Sequence, residues 1–229
     1  MYSKLSYEFD FNFNFSHPKK IKMKKILVLA PHTDDGEFGC GGTIAKLINE
    51  GNEVYYAAFS ACQQSVAPEY PSDILITEVK EATKTLGIQP ENLRLFDFDV
   101  RTFNYKRQEI LESIICLKNE LKPDIVFMPS INDIHQDHYT IAFEGIRAFK
   151  YSTILCYEMP WNNFTFHTTA FQVLSEENIL TKIKALDKYN SQKNRPYANE
   201  EFIKSLARTR GVQVGETYAE VFEVVRLIL

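Results

Sequence analysis

No apolar stretch in this 229-residue chain approaches the roughly 18 to 20 residues needed to cross a bilayer, and its first residues lack the compact apolar core of a signal peptide. The expectation is a cytoplasmic protein without a transmembrane segment. Cysteine is sparse. Cys40, Cys62, Cys116 and Cys156 form no CxxC pair, which excludes a thiolate zinc site and a disulfide framework. Three of them read as small packing residues. Cys40, inside GCGG, has a soft-ligand reading as well, with packing the preferred one. Basic residues are too few and too scattered for a phosphate-backbone binder: 26 Lys and Arg against 30 Asp and Glu give a net charge of -4, and the run Lys19 to Lys25 is short. No nucleic-acid partner is expected. The glycines of GCGG lack GxGxxG spacing, and the carboxylates before them would repel a pyrophosphate. No internal repeat or low-complexity linker appears.

At 45% hydrophobic residues the chain can bury one sizeable core, and a second full domain would be cramped. Residues 1–22 differ from the rest: Tyr7, Phe9, Phe11, Phe13 and Phe15 alternate with polar residues, as in an edge strand, yet Met23 reads equally as a natural start, which would make them a start-site artefact or a disordered extension. From Lys25 on, strand and helix signals alternate, which predicts an α/β, Rossmann-like single domain over 23–229, with a mostly parallel sheet flanked by helices. Strands are expected at Ile26–Ala30, Val54–Phe59, Leu93–Phe98, Ile125–Met128, Thr153–Tyr157, Phe171–Leu174 and Val221–Leu229. Helices are expected after the glycine turn up to Gly51, from Ser72 or Asp73 to Gly87, from Ile110 to Leu121, through Ile141 to Phe149, and after Ser175.

Two of these strands end in chemistry. ILVLA runs into PHTDDGEFGCGG, with His32, Asp34 and Asp35, and IVFMP runs into SINDIHQDH, with His135, Asp137 and His138. Ligands of open α/β sheets bind beyond the carboxyl ends of strands, so the fold should bring both segments together. A catalytic zinc takes three ligands from His and Asp or Glu and keeps one position open. His32, Asp35 and His138 fit that count. Asp34 is then free to act as general base, and His135, if protonated, could stabilise an oxyanion while Asp137 orients its ring. Taken alone, Asp34 and Asp35 are equally well read as helix or turn caps. The same ligand set also suits iron, cobalt or manganese. His17 and His167 have no partners in sequence and read as solvated or satisfied.

The paired motifs resemble the PIG-L or LmbE-like deacetylases, which carry a pattern close to PHPDD-x-E-x-x-x-GG and a later H-x-D-H; here these read PHTDDGEFGCGG and HQDH. The resemblance runs from about Lys24 to YAEVFEV. It implies a zinc-dependent hydrolase that removes the N-acetyl group from an N-acetylglucosaminyl unit, with His32, Asp35 and His138 on the metal, Asp34 as base and His135 on the oxyanion. The implied partner is a small N-acetylated sugar conjugate, and a homo-oligomer is compatible with the sequence. Thr33 replaces the usual proline. Many relatives carry an arginine shortly before the match to Glu78, where this chain has Leu75, Ile76 and Thr77. Asp99 matches an acidic position that holds sugar hydroxyls in some relatives, and Arg101 is placed to replace the absent cation; both are also readable as loop solvation. Trp161, the only tryptophan, reads either as a sugar-stacking face or as a packing anchor. An amidase for a thiol conjugate or other acylated amine, and a metal- or carbohydrate-binding module without turnover, are the alternative readings.

Overall fold

The computed structural model describes residues 23–229, so the expectation for residues 1–22 lies outside the described residues. Seven strands form one sheet in the order β3-β2-β1-β4-β5-β7-β6. They are β1 (Lys25–His32), β2 (Glu53–Ser60), β3 (Leu93–Leu95), β4 (Ile125–Pro129), β5 (Thr153–Tyr157), β6 (Ala170–Leu174) and β7 (Tyr218–Arg226). The pairs from β3 through β5 are all parallel, and β7 runs antiparallel to both β5 and β6. The helices are α1 (Asp35–Asn49), α2 (Ile74–Leu86), α3 (Arg107–Leu121), α4 (Gln136–Ala148), α5 (Glu176–Leu186) and α6 (Glu200–Val212).

The central strand shows how sequence makes the core. Ile26 to Ala30 are fully buried, as befits a parallel strand covered on both faces. With a period of two, Ile26, Val28 and Ala30 join the core under α1, α2 and α5, while Leu27 and Leu29 join the core under α3 and α4. Each such side chain contributes about 1.5–3 kcal/mol by leaving water. Chain order reverses between β1 and β4, whose register pairs Ile26 with Ile125. That switch point opens a crevice beyond the carboxyl ends of these two strands, where the two motif segments begin.

Three expectations differ from what is found. The glycines of GCGG do not form a turn: Gly36 to Gly42 lie within α1, which breaks its helical geometry only at Cys40 (φ -148, ψ 24). A Cβ on Gly36 would stand 2.5 Å from the Tyr56 ring, and one on Gly39 would stand 2.3 Å from the Tyr157 ring. The small residues let the helix lie directly on β2 and β5. At the break, the Phe38 carbonyl accepts from Lys182 Nζ at 2.6 Å, and the amides of Gly42 and Thr43 donate to the Glu220 carboxylate at 3.0 and 2.7 Å. Lys182 and Glu220 pair with each other at 2.6 Å, so one buried ion pair satisfies both broken ends of the helix. Strand β3 stops at Leu95, short of Phe98, and α6 was not expected at all. Its signal is nonetheless local: Asn199 caps it by accepting from the Phe202 amide, and Ile203, Ala207 and Gly211 bury one face at four-residue spacing.

Candidate metal centre

His32 ends β1, and Asp34 and Asp35 start α1 one and two peptide bonds further on from Thr33. Asp34 stands at the cap position of α1, yet its side chain caps nothing. The capping reading therefore fails for Asp34, whose buried carboxylate instead accepts from Arg195 at 3.1 Å. On the other side of the crevice, His135 caps α4 and His138 lies in its first turn.

The two segments converge. His32 Nδ1, Asp35 Oδ2 and His138 Nε2 form a triangle with edges of 3.0, 3.2 and 3.3 Å. Three ligands bound about 2.1 Å from a tetrahedral zinc lie about 3.4 Å from one another, so the donor set fits a divalent cation with little movement. His32, His135 and His138 also bring donor atoms within 4.8 Å of one another. The first set is the better cage: it is tighter, it includes a carboxylate, and Nδ1 of His135 already accepts from the Asp137 amide at 3.2 Å.

Each imidazole of the triangle is fixed from behind by a carboxylate. His32 Nε2 meets Asp137 Oδ2 at 3.0 Å, and His138 Nδ1 meets Asp133 Oδ2 at 2.7 Å. Such partners select the tautomer that turns the free nitrogen toward the cation. Asp133 was missed from sequence; its position five residues before His138 is the only local signal. Asp137 sits differently from the expectation that it orients the His135 ring. Its carboxylate takes His32 Nε2 and the amides of Arg101 (2.6 Å) and Phe103 (3.3 Å), and only its backbone amide reaches His135.

Charge follows from these contacts. Burial disfavours the charged form of His138, but Asp35 and Asp133 outweigh it and hold the group up at about 10. His32 is raised in the same way, burial being outweighed by Asp35 and Asp137. Burial acts against Asp35 too, yet the two imidazoles keep it well below the usual carboxylate range. Burial pushes Asp34 up, with Arg195 opposing. His135 is lowered, by burial and then by His138 and His32. Since its Nδ1 accepts a hydrogen bond, His135 is a neutral imidazole with its proton on Nε2, not the imidazolium considered from sequence.

These groups line a cleft of about 340 Å³, whose walls include Cys62, Ser65, Leu75, Arg101, Trp161 and Arg195. Of the residues expected to meet substrate, Arg101 faces the cleft. Asp99 is exposed and outside its lining, held by Gln64. Trp161 lines the cleft, but one indole face is covered by Tyr197 (centroids 3.8 Å apart, planes 5° apart), and Phe38 makes a T-shaped contact with it. Packing thus takes one face of the indole, while the side chain still lines the cleft. Cys40 is buried outside the cleft, in keeping with its packing reading.

The family model described as PIG-L, GlcNAc-PI de-N-acetylase, matches residues 27–149. The chain belongs to the PIG-L family. An uncharacterised deacetylase of Escherichia coli, YaiS, is 31% identical over 177 residues, covering 74% of this chain and 92% of that one. Diacetylchitobiose deacetylase of Thermococcus kodakarensis is 29% identical, the match covering 57% of this chain and 51% of the relative. A probable N-acetyl-alpha-D-glucosaminyl L-malate deacetylase of Bacillus cereus is 28% identical, with 55% and 60% covered. Among solved structures, N,N'-diacetylchitobiose deacetylase from Pyrococcus horikoshii superposes with a TM-score of 0.75 at 24% identity over 88% of this chain and 84% of that one. The fold alone does not specify the reaction: a 4-carboxy-2-hydroxymuconate hydratase from Pseudomonas shares it at 18% identity, with a TM-score of 0.72 and coverage of 90% and 98%. Within the PIG-L match lie both motif segments and every donor of the triangle.

Proposed function

We propose that this protein is a metal-dependent N-deacetylase that hydrolyses the acetamide of an N-acetylglucosamine-type sugar conjugate to acetate and a free amine. The observation that carries this reading is the convergence of His32, Asp35 and His138 within 3.0–3.3 Å, with Asp34 in the same cleft. His32, Asp35 and His138 would hold the cation, for which zinc is the first choice and iron, cobalt or manganese fit the same donors. Bound there, a divalent cation supplies Lewis acidity, which acidifies a nearby water and polarises the amide carbonyl.

The chain's own groups move the protons. Asp34 accepts one from the attacking water and returns it to the departing nitrogen, so that the C–N bond breaks to leave a neutral amine. Burial favours the protonated intermediate state of Asp34, and Arg195 favours its ionised starting state. His135 donates from Nε2 to the carbonyl oxygen as negative charge develops there, a role open to a neutral imidazole. The cleft of about 340 Å³ has room for one sugar unit, and relatives named for diacetylchitobiose and for a glucosaminyl malate conjugate support that substrate class. No helix among the described residues is long and apolar enough to cross a membrane, and the four cysteines are free, which suits a reducing cytoplasm.

The test follows acetate release from a panel of N-acetylglucosaminides and other N-acyl amines by protein loaded with each metal in turn. Chelation should abolish turnover, and Asp34→Asn should lower kcat about 10²–10⁴-fold while metal remains bound. Turnover that persists through chelation and in the Asp34→Asn protein would refute the mechanism.

A further inference from the structure

Thr33 stands in the chain between a metal donor, His32, and the base, Asp34. The residue is buried, and no backbone amide among the described residues donates to its carbonyl oxygen. Two tyrosine hydroxyls reach that oxygen instead: Tyr56, from β2, at 2.9 Å and Tyr189, from residues 187–199, at 2.6 Å. A buried carbonyl without a donor is costly, and these two side chains are what the fold supplies for it. The hydroxyls are themselves held in place. Each meets one oxygen of the buried Glu37 carboxyl, and the Tyr56 oxygen accepts from the Gly36 amide at 3.0 Å. Glu37 is the acidic residue of PHTDDGE with no part in the chemistry above, and it lies outside the cleft lining.

A peptide group is planar, so an oxygen fixed from two sides also fixes the amide across the same peptide, and with it the direction in which the Asp34 side chain leaves the backbone. Asp34 has no capping bond of its own to set that direction. Its far end is held as well, since the carboxylate accepts from Arg195 at 3.1 Å. Tyr189 and Arg195 belong to one stretch, residues 187–199, which is anchored where Glu78 accepts from the Ser191 amide and hydroxyl at 2.9 and 2.6 Å and where Tyr197 stacks on Trp161. That stretch grips Asp34 at both ends. The imidazole donors of the triangle are fixed by different groups, Asp137 and Asp133, and neither tyrosine hydroxyl bonds to a donor side chain among the described residues.

We propose that Tyr189 and Tyr56 are positioning residues for the general base: through the Thr33 carbonyl they set the aim of the Asp34 carboxylate. This rests on the deacetylase reading above. Both tyrosines are buried outside the cleft lining, so they act on the reaction through Asp34 and not by touching substrate.

The test replaces each tyrosine by phenylalanine and follows acetate release at saturating metal in two backgrounds. With Asp34 present, Tyr189→Phe should lower kcat about 10–100-fold, the cost of misplacing a reacting group by up to about 1 Å, with KM changed about twofold at most. In the Asp34→Asn background, where no base is left to aim, the same change should cost less than about threefold. A hydroxyl that only stabilised the fold would lower both backgrounds alike. Equal losses in the two backgrounds, or no loss with Asp34 present, overturn the proposal and leave the deacetylase reading standing. Tyr56→Phe is read in the same way and decides the matter if Tyr189→Phe does not fold. If wild type hydrolyses no N-acyl amine of the panel, the deacetylase reading fails, and crystal structures of wild type and Tyr189→Phe still decide the inference: an Asp34 carboxylate shifted by about 0.5 Å or more relative to His32, Asp35 and His138 supports it, and an unmoved carboxylate overturns it. The same comparison decides if turnover by Asp34→Asn is too slow to measure.

Discussion

Replacing Asp137 with asparagine tests how the centre is held together. The carboxylate is fully buried and serves three donors with two oxygens: Oδ2 takes His32 Nε2 at 3.0 Å and the Arg101 amide at 2.6 Å, and Oδ1 takes the Phe103 amide at 3.3 Å. Asparagine has one oxygen and an NH2 group. If the oxygen serves His32 and Arg101, the NH2 faces the Phe103 amide; in the other orientation it faces two donors at once. Even the better choice leaves a buried donor unpaired, at about 1–3 kcal/mol. In a chain of this size that lowers Tm by about 2–12 °C. The lost charge also weakens His32 as a ligand, and loss of a carboxylate behind a metal-bound imidazole costs about 10–100-fold in affinity. Competition with a chromophoric chelator reads the affinity, and thermal unfolding of the apo protein reads the stability. If Asp137 instead served only to orient His135, Asp137→Asn would bind metal like wild type and lose only kcat. Unchanged metal affinity in a folded variant would therefore refute the argument.

Two further outcomes depend on pH. In the metal-free protein His138 is held protonated, up to about 10, so a cation must displace a proton to bind; the facing nitrogens of His32 and His138, 3.3 Å apart, have room for one proton between them. Affinity should accordingly rise about tenfold per pH unit between pH 6 and 8, with one proton released, as calorimetry in buffers of different ionisation enthalpy would show; binding without proton release would contradict the assignment. Glu37, fully buried between the hydroxyls of Tyr56 and Tyr189, is pushed up to about 8 by burial. Its folded pKa lies above the unfolded value of about 4.3, so from pH 4.3 to 8 the folded state holds a proton that the unfolded state releases, and stability falls as pH rises through that window. Glu37→Gln should remove this slope, so that its stability relative to wild type improves steadily from pH 5 to 8 with chelator present. Parallel pH profiles for the two proteins would show that Glu37 takes up no such proton.

Much of the molecule was legible in one dimension because the signals involved are local. A run such as ILVLA or IVFMP is apolar at every position only if both faces of the strand are covered, and that reports a central parallel strand without reference to the rest of the chain. Pro123, Gly87 and Ser175 mark helix ends through their own backbone or side-chain chemistry, and α5 begins with the capping box that Ser175 announces. That His32, Asp35 and His138 share one crevice was readable for a related reason: His32 ends β1, Asp35 follows it by three residues, and His138 lies in the first turn of the helix that comes after β4, and the topology of such sheets sends those strand ends to one crevice.

What only the tertiary structure decided is which group faces which across that crevice. Asp137 lies next to His138 in the chain, yet its carboxylate serves His32, 105 residues away, and Arg195 meets Asp34 across 161 residues. No periodicity encodes such pairs. The protonation of His135, the covering of Trp161 by Tyr197 and the exclusion of Asp99 from the cleft likewise follow from neighbours contributed by other elements. Sequence alone determined most of the elements and the candidate donors, since strand burial, helix caps and ligand type are properties of short segments. The folded structure determined the charges and partners of those donors, because hydrogen bonds and electrostatic shifts depend on distance in space, and distance along the chain does not set them.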